Sequence, residues 1–152
     1  WKIMHYLVAV DGSDASTSAL SHAIELANAL EGSLTIAYAV ESRVLIDDAA
    51  GESPTNHEIG DRIYTEDTET AEERGSTVLE SAAKEAAEAG IDVNTELLYG
   101  QPVEAIESHA SNSAVDGVIV GHRALSGRVE GMVGSVAKGL VERAPVPVTV
   151  VK

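Results

Sequence analysis

"VDGVIVGHRALSGRVEGMVGSVAKGL", residues Val115 to Leu140, sets an apolar run, a glycine-rich connection and a stripe of helical period one after another. Val115 to Val120 reads as a strand buried on both faces, as in parallel sheets. Val136, Ala137, Leu140 and Val141 recur at helical spacing and form one face of a helix. Gly121 to Leu140 holds five of the chain's 13 glycines and four cationic or potentially cationic side chains, His122, Arg123, Arg128 and Lys138. Glycine lets backbone N–H groups come close to an anion, and a helix starting near Gly134 and Ser135 aims free N–H groups and a positive dipole end at the same place. The segment therefore reads as a phosphate cradle, with Gly127 and Gly131 as turn residues and Arg128 solvated.

Working outward, the same alternation repeats. Ile3 to Val10 is an apolar strand, followed by a helix capped by Ser13 or Asp14 with Ala19, Leu20, Ala23, Ile24, Ala27 and Leu30 on one stripe. Ser33 to Val40 is the second strand. Residues 41–65 show no clean period and contain Gly51, Pro54, Asn56 and Gly60, so they read as a long variable loop. A helix is expected from about Glu66 to Ala89, ended by Gly90. Its acidic start, "EDTETAEE", fits a solvated face at the positive end of a helix better than a metal site. Ile91 to Tyr99 is the third strand, and Pro102 suits the first turn of a helix carrying Val103, Ile106 and Ala110. Val146 to Val151 is the fifth strand, and Pro147, which lacks a backbone donor, places it at a sheet edge. Strands alternating with helices predict one α/β domain over residues 1–152, with a five-stranded, parallel, doubly wound sheet between helical layers. Ligands of such sheets bind beyond the carboxyl ends of the strands, where the strand order reverses.

The composition narrows the function classes. A chain of 152 residues with 44% apolar residues can bury a sizeable core, and no apolar run approaches the roughly 20 residues of a membrane span. Cysteine is absent, which excludes disulfides and thiolate chemistry, and no positively charged apolar leader precedes the first strand, so the expected location is the cytoplasm. A net charge of −15 argues against nucleic-acid binding. An acidic protein that binds phosphates fits a high-salt cytoplasm, where the Debye length falls to about 3 Å at 1 M salt. The four lysines and the absence of Phe agree with a halophilic origin, and a plain solvated acidic surface is the simpler alternative.

These residues resemble the universal stress protein family, of the UspA-like kind, over essentially the whole chain. The likeness lies in "VAVDGSDAS", "YAVES", "GQP", "VIVGHRALSGRVEGMVGSV" and "APVPVTVVK". ATP-binding members carry Gly, two residues, Gly, nine residues, Gly, then Ser or Thr. That register falls here on Gly121, Ala124, Gly134 and Ser135, with Ala124 replacing a glycine. The resemblance implies a Rossmann-like, adenine nucleotide α-hydrolase-like sheet of order 3-2-1-4-5. It also implies a site for ATP, ADP or AMP, with Mg2+ as a candidate companion. Ala9, Val10 and Asp11 would hold the adenine and ribose side, and Ala39 and Val120 would line the base pocket. Gly121, His122, Arg123, Ala124, Gly134, Ser135 and Val136 would surround the ribose and phosphates. A homodimer through edge strand 146–151 is implied as well. Asp11 can equally be a turn or helix-capping aspartate. If the position of Ala124 needs a positive φ, the methyl adds roughly 1–2 kcal/mol of strain.

Dedicated catalysis is not expected, beyond slow ATP hydrolysis. Lys138 and Gly139 stand in the wrong order for a Walker site, and "VGSVA" lacks the second glycine of a nucleophile elbow. His5, His22, His57 and His109 have no metal-ligand spacing and read as surface or satisfied, partly buried residues. A receiver domain is excluded by "LLYG" at the third strand, which lacks the phosphoacceptor Asp. Flavin binding is disfavoured by 3% aromatics. Two functions stand: an adenine-nucleotide-binding regulator of a stress response, and a protein-interaction module of the same fold in which Ala124 has removed nucleotide affinity, its partner unknown.

Overall fold

The computed structural model describes residues 2–41, 54–122 and 134–152, with side chains of the middle segment described from residue 70 onward. The chain builds β1 (His5–Ala9), α1 (Asp14–Leu30), β2 (Ser33–Val40), α2 (Pro54–Glu88), β3 (Asp92–Tyr99), α3 (Pro102–Asn112), β4 (Gly117–Gly121), α4 (Ser135–Arg143) and β5 (Val148–Val151). All strand pairs are parallel, in the order β3-β2-β1-β4-β5.

Two apolar layers sandwich the sheet. On one face Val8, Ile36, Tyr38 and Ile119 meet the stripe of α1 (Ala19, Leu20, Ala23, Ile24 and Ala27) and Leu79, Ala82 and Ala86 of α2. On the other, Leu7, Ala37, Val118 and Val120 meet Ile106 and Ala110 of α3 and Ala137 and Leu140 of α4. The alternation of Leu7 and Val8, both fully buried, is the period-2 geometry of a strand covered on both sides. At about 25 cal/mol per Å², burial of such side chains stabilises by roughly 1.5–3 kcal/mol each, so these layers fix the strand order.

Local chemistry places the helix ends. Ser13 caps α1 by accepting from Ser16 N at 3.2 Å. Past the end of α2, Gly90 takes φ +83°, and Ile91 N donates to Ala86 O at 3.0 Å while the Ile91 side chain is buried, a Schellman arrangement. The start of α2 differs from the expected helix at Glu66. It begins at Pro54, so residues 54–65 of the expected loop belong to the helix. Proline is well placed in a first turn, but Ile59 and Ile63 are the only aliphatic pair in that stretch, too little to show a period. Residues 42–53 of that loop lie outside the described residues. β5 sits at a sheet edge, starting two residues later than expected. Pro147 has no N–H for the ladder, and its carbonyl accepts from Val118 N at 2.9 Å.

Candidate functional site

The strand order reverses between β1 and β4. From β1 the chain leads into α1 on one face of the sheet, and from β4 it leads to α4 on the other, so a crevice opens between their carboxyl ends. Ala9, Val10 and Asp11 lie at the end of β1, Ala39 near the end of β2, and Val120, Gly121 and His122 at the end of β4. Gly134, Ser135 and Val136 form the start of α4. The anchor between these parts is a hydrogen bond from Gly134 N to His122 O at 2.8 Å, and His122 N donates to Val151 O at 2.6 Å. The chain thus leaves β4 and returns to α4 at one point. Arg123 and Ala124 lie outside the described residues.

Gly134 is the N-cap of α4, with no side chain capping the helix. The first intrahelical bond is Lys138 N to Gly134 O at 3.0 Å, so the amides of the first turn have no intrahelical acceptor, and Ser135 beside them is exposed. Such a terminus suits an anion. Asp11 Oδ1 accepts from Ser13 N at 2.9 Å, which makes it a turn aspartate. Among the described residues no protein donor meets its Oδ2, so the same side chain can also accept from a ligand hydroxyl or amine.

Gly121 has a second reason to be glycine. A Cβ there would stand 2.6 Å from Ala15 O and 2.9 Å from Ala15 Cβ, so β4 touches the first turn of α1 through a bare backbone. Sequence reading attributed this glycine to ligand approach alone and passed over Ala15. A small residue in the first turn of α1 was its only trace.

The opposite edge of the sheet holds the one tightly bonded histidine cluster among the described residues. His5 Nδ1 lies 2.6 Å from Ser33 Oγ and Nε2 lies 2.7 Å from Thr35 Oγ1. Asp116 accepts from His5 N at 2.9 Å and from Lys2 Nζ at 2.5 Å. Burial pushes the His5 imidazole below its ordinary 6.5, against the pull of Asp116 and Asp92. The Lys2 ammonium, with the His5 N–H, holds the Asp116 carboxyl below its ordinary range. No group of His, Asp and Glu among the described residues is arranged to hold a metal ion, and no described helix is long and apolar enough to cross a membrane.

The family model for the universal stress protein family matches residues 2–152. The chain belongs to the universal stress protein family. It is 33% identical over 147 residues to the universal stress protein YxiE of Bacillus subtilis, covering 96% of this chain and 97% of that one. The solved universal stress protein UspA from Lactobacillus plantarum superimposes with a TM-score of 0.83 at 24% identity, covering 100% of this chain and 99% of that one. A universal stress protein solved in complex with cAMP superimposes with a TM-score of 0.65 at 26% identity, covering 98% and 97%. Family and sheet order agree with the expectation from the sequence.

Proposed function

We propose that this universal stress protein binds an adenine nucleotide, ATP or its di- or monophosphate, in the crevice between β1 and β4, and that occupancy regulates its part in a stress response. The observation that carries this reading is the join of Gly134 N to His122 O, which brings an uncapped helix N-terminus to the end of β4. The phosphates would meet the amides of Ser135 and Val136 and the Ser135 hydroxyl, with Gly121, His122, Arg123 and Ala124 beside them. Asp11 Oδ2 would accept from the ribose, and Ala9, Val10, Ala39 and Val120 would line the base. A family relative solved with cAMP supports an adenine ligand. Mg2+ would accompany a triphosphate, with its remaining ligands drawn from water and phosphate.

The proposal extends to assembly and setting. β5 at the sheet edge leaves one ladder side open, which a second copy can cover in a homodimer. Light scattering at micromolar protein should give twice the chain mass, and a monomer contradicts the dimer. A charge of −15 supports a cytoplasm of high ionic strength. Calorimetric titration of ATP, AMP and GTP into nucleotide-stripped protein, at low and molar salt, tests the function. One adenine nucleotide per chain with GTP excluded is expected. No heat and no thermal stabilisation at millimolar nucleotide would favour the protein-interaction module.

A further inference from the structure

The two edges of the sheet are unlike. β5 is four residues long and is entered through Pro147, whereas β3 runs eight residues, Asp92 to Tyr99, without a proline, a glycine or a lysine. Its register with β2 is unbroken from the Ser33–Asp92 pair to the Val40–Tyr99 pair, so it has no bulge either. Short strands, prolines, lysines and bulges are the usual means of keeping an edge from pairing, and β3 uses none of them. Gly100 N donates to Val40 O at 3.0 Å, so even-numbered residues of the strand turn their backbone groups to β2, and Val93, Thr95, Leu97 and Tyr99 turn theirs outward. Among the described residues, none of these four outward N–H groups meets a backbone acceptor.

The two faces of this edge differ in chemistry. Val93 and Leu97 are half-buried against the apolar layer under α1 and α2, with Thr95 between them. On the opposite face Asp92, Asn94 and Glu96 are exposed, and Leu98 alone packs on the layer under α3 and α4. Among the described residues neither Asp92 nor Glu96 pairs with a Lys or Arg. A strand laid along this edge therefore meets free ladder groups in its plane, aliphatic surface on one side and carboxylates on the other. A second copy of β3 running antiparallel would set the same carboxylates of both chains on one face, where like charges oppose pairing. A peptide in which aliphatic residues alternate with Lys or Arg meets all three surfaces at once, because successive side chains of a strand point to opposite faces.

We infer that β3 is a docking edge for an extended basic segment of a partner protein, which adds a strand to the sheet by main-chain hydrogen bonds and sets its cations over Asp92 and Glu96. The edge lies across the sheet from β5 and uses none of the residues assigned to the nucleotide, so it stands whether or not a nucleotide binds or a dimer forms.

The probe is an acetylated, amidated peptide of alternating lysine and valine, as long as β3, titrated into the full chain at about 0.15 M salt. Saturable binding of one peptide per chain is expected, with amide hydrogen exchange slowed at Val93, Thr95, Leu97 and Tyr99. Glu96→Lys should weaken binding about tenfold or more, whereas Glu25→Lys, the same change of charge on the exposed face of α1, should stay within about twofold. Both side chains are exposed, so matched melting temperatures are expected of the two variants. Equal losses in both would reduce the effect to general attraction by an acidic protein and overturn the docking edge. Equal binding of the fully N-methylated peptide, which keeps the charges and cannot join the ladder, overturns it as well. So does absence of saturable binding. Exchange at the same four amides that slows in the free protein as its concentration and mass rise would give the edge to a second copy, against the proposal.

Discussion

At the amino edge of the sheet, both ring nitrogens of His5 and both oxygens of Asp116 meet protein partners within 3 Å. At the carboxyl edge, α4 begins without a side-chain cap and, among the described residues, Asp11 shares only one of its oxygens with the protein. The same parallel sheet carries both. The difference separates polar groups that hold the fold from polar groups left for a ligand, because a buried donor or acceptor without a partner costs about 1–3 kcal/mol unless something else satisfies it. A histidine cluster draws the eye as a candidate for chemistry, yet its completeness marks it as structural.

The close approach of β4 to α1 at the carboxyl edge should break with the largest effect. Gly121→Ala puts a methyl against Ala15 O, where neither backbone can yield cheaply. The expected loss is about 2–3 kcal/mol, a melting temperature lower by roughly 5–10 °C. An unchanged melt would show that α1 gives way and that the close approach is not needed. Next, Asp116→Ala should cost about 2 kcal/mol by leaving His5 N without an acceptor, and Asp116→Asn should recover most of it. Equal melts for the two variants would contradict that role.

The amino edge also has a pH signature, in two windows. The folded His5 has a lowered pKa, so the unfolded chain binds the proton more readily. Stability from this group is present above the unfolded value of about 6.5 and is lost as pH falls through the lower folded value. Asp116, also lowered, contributes stability above the unfolded carboxylate value of about 3.9 that is lost as pH falls further, through its folded value. His5→Gln should therefore flatten the melting curve between pH 7 and 5 and leave the more acidic limb in place. A wild-type slope in that variant would assign the upper window elsewhere. At the carboxyl edge the smallest effect is expected from Ser135→Ala: stability within about 0.5 kcal/mol, and nucleotide affinity weaker by roughly threefold to tenfold in the same titration. A large melting shift would make Ser135 structural.

The sheet was legible because its signals are periodic. The α1 stripe, the Gly90 stop and the donor-free Pro147 each have one physical reading, and the structure places them accordingly except for Leu30, which at the last position of α1 runs past the sheet and is 42% exposed. The start of α2 was hidden because a helix without an apolar stripe has no period to read. At the candidate site, the family resemblance pointed to Gly121, Gly134 and Ser135, and the bond from Gly134 N to His122 O puts the start of α4 beside the end of β4. What spacing could not disclose was the partner of each group. Asp11 spends one oxygen on Ser13 N, and Gly121 is small partly for Ala15, facts of three-dimensional contact between residues that sequence keeps apart.

The measurement that bears most directly on the division of the two edges is a paired one on Gly134→Asp. This N-cap has φ −64°, a conformation any residue adopts, and an aspartate there caps a helix well. The account predicts a melting temperature equal to or above that of the wild type together with loss of ATP and AMP binding by calorimetry, because the new carboxylate takes the amides the phosphate would use and repels it. Undiminished nucleotide binding in this well-folded variant would contradict the central claim that the start of α4 is the phosphate site.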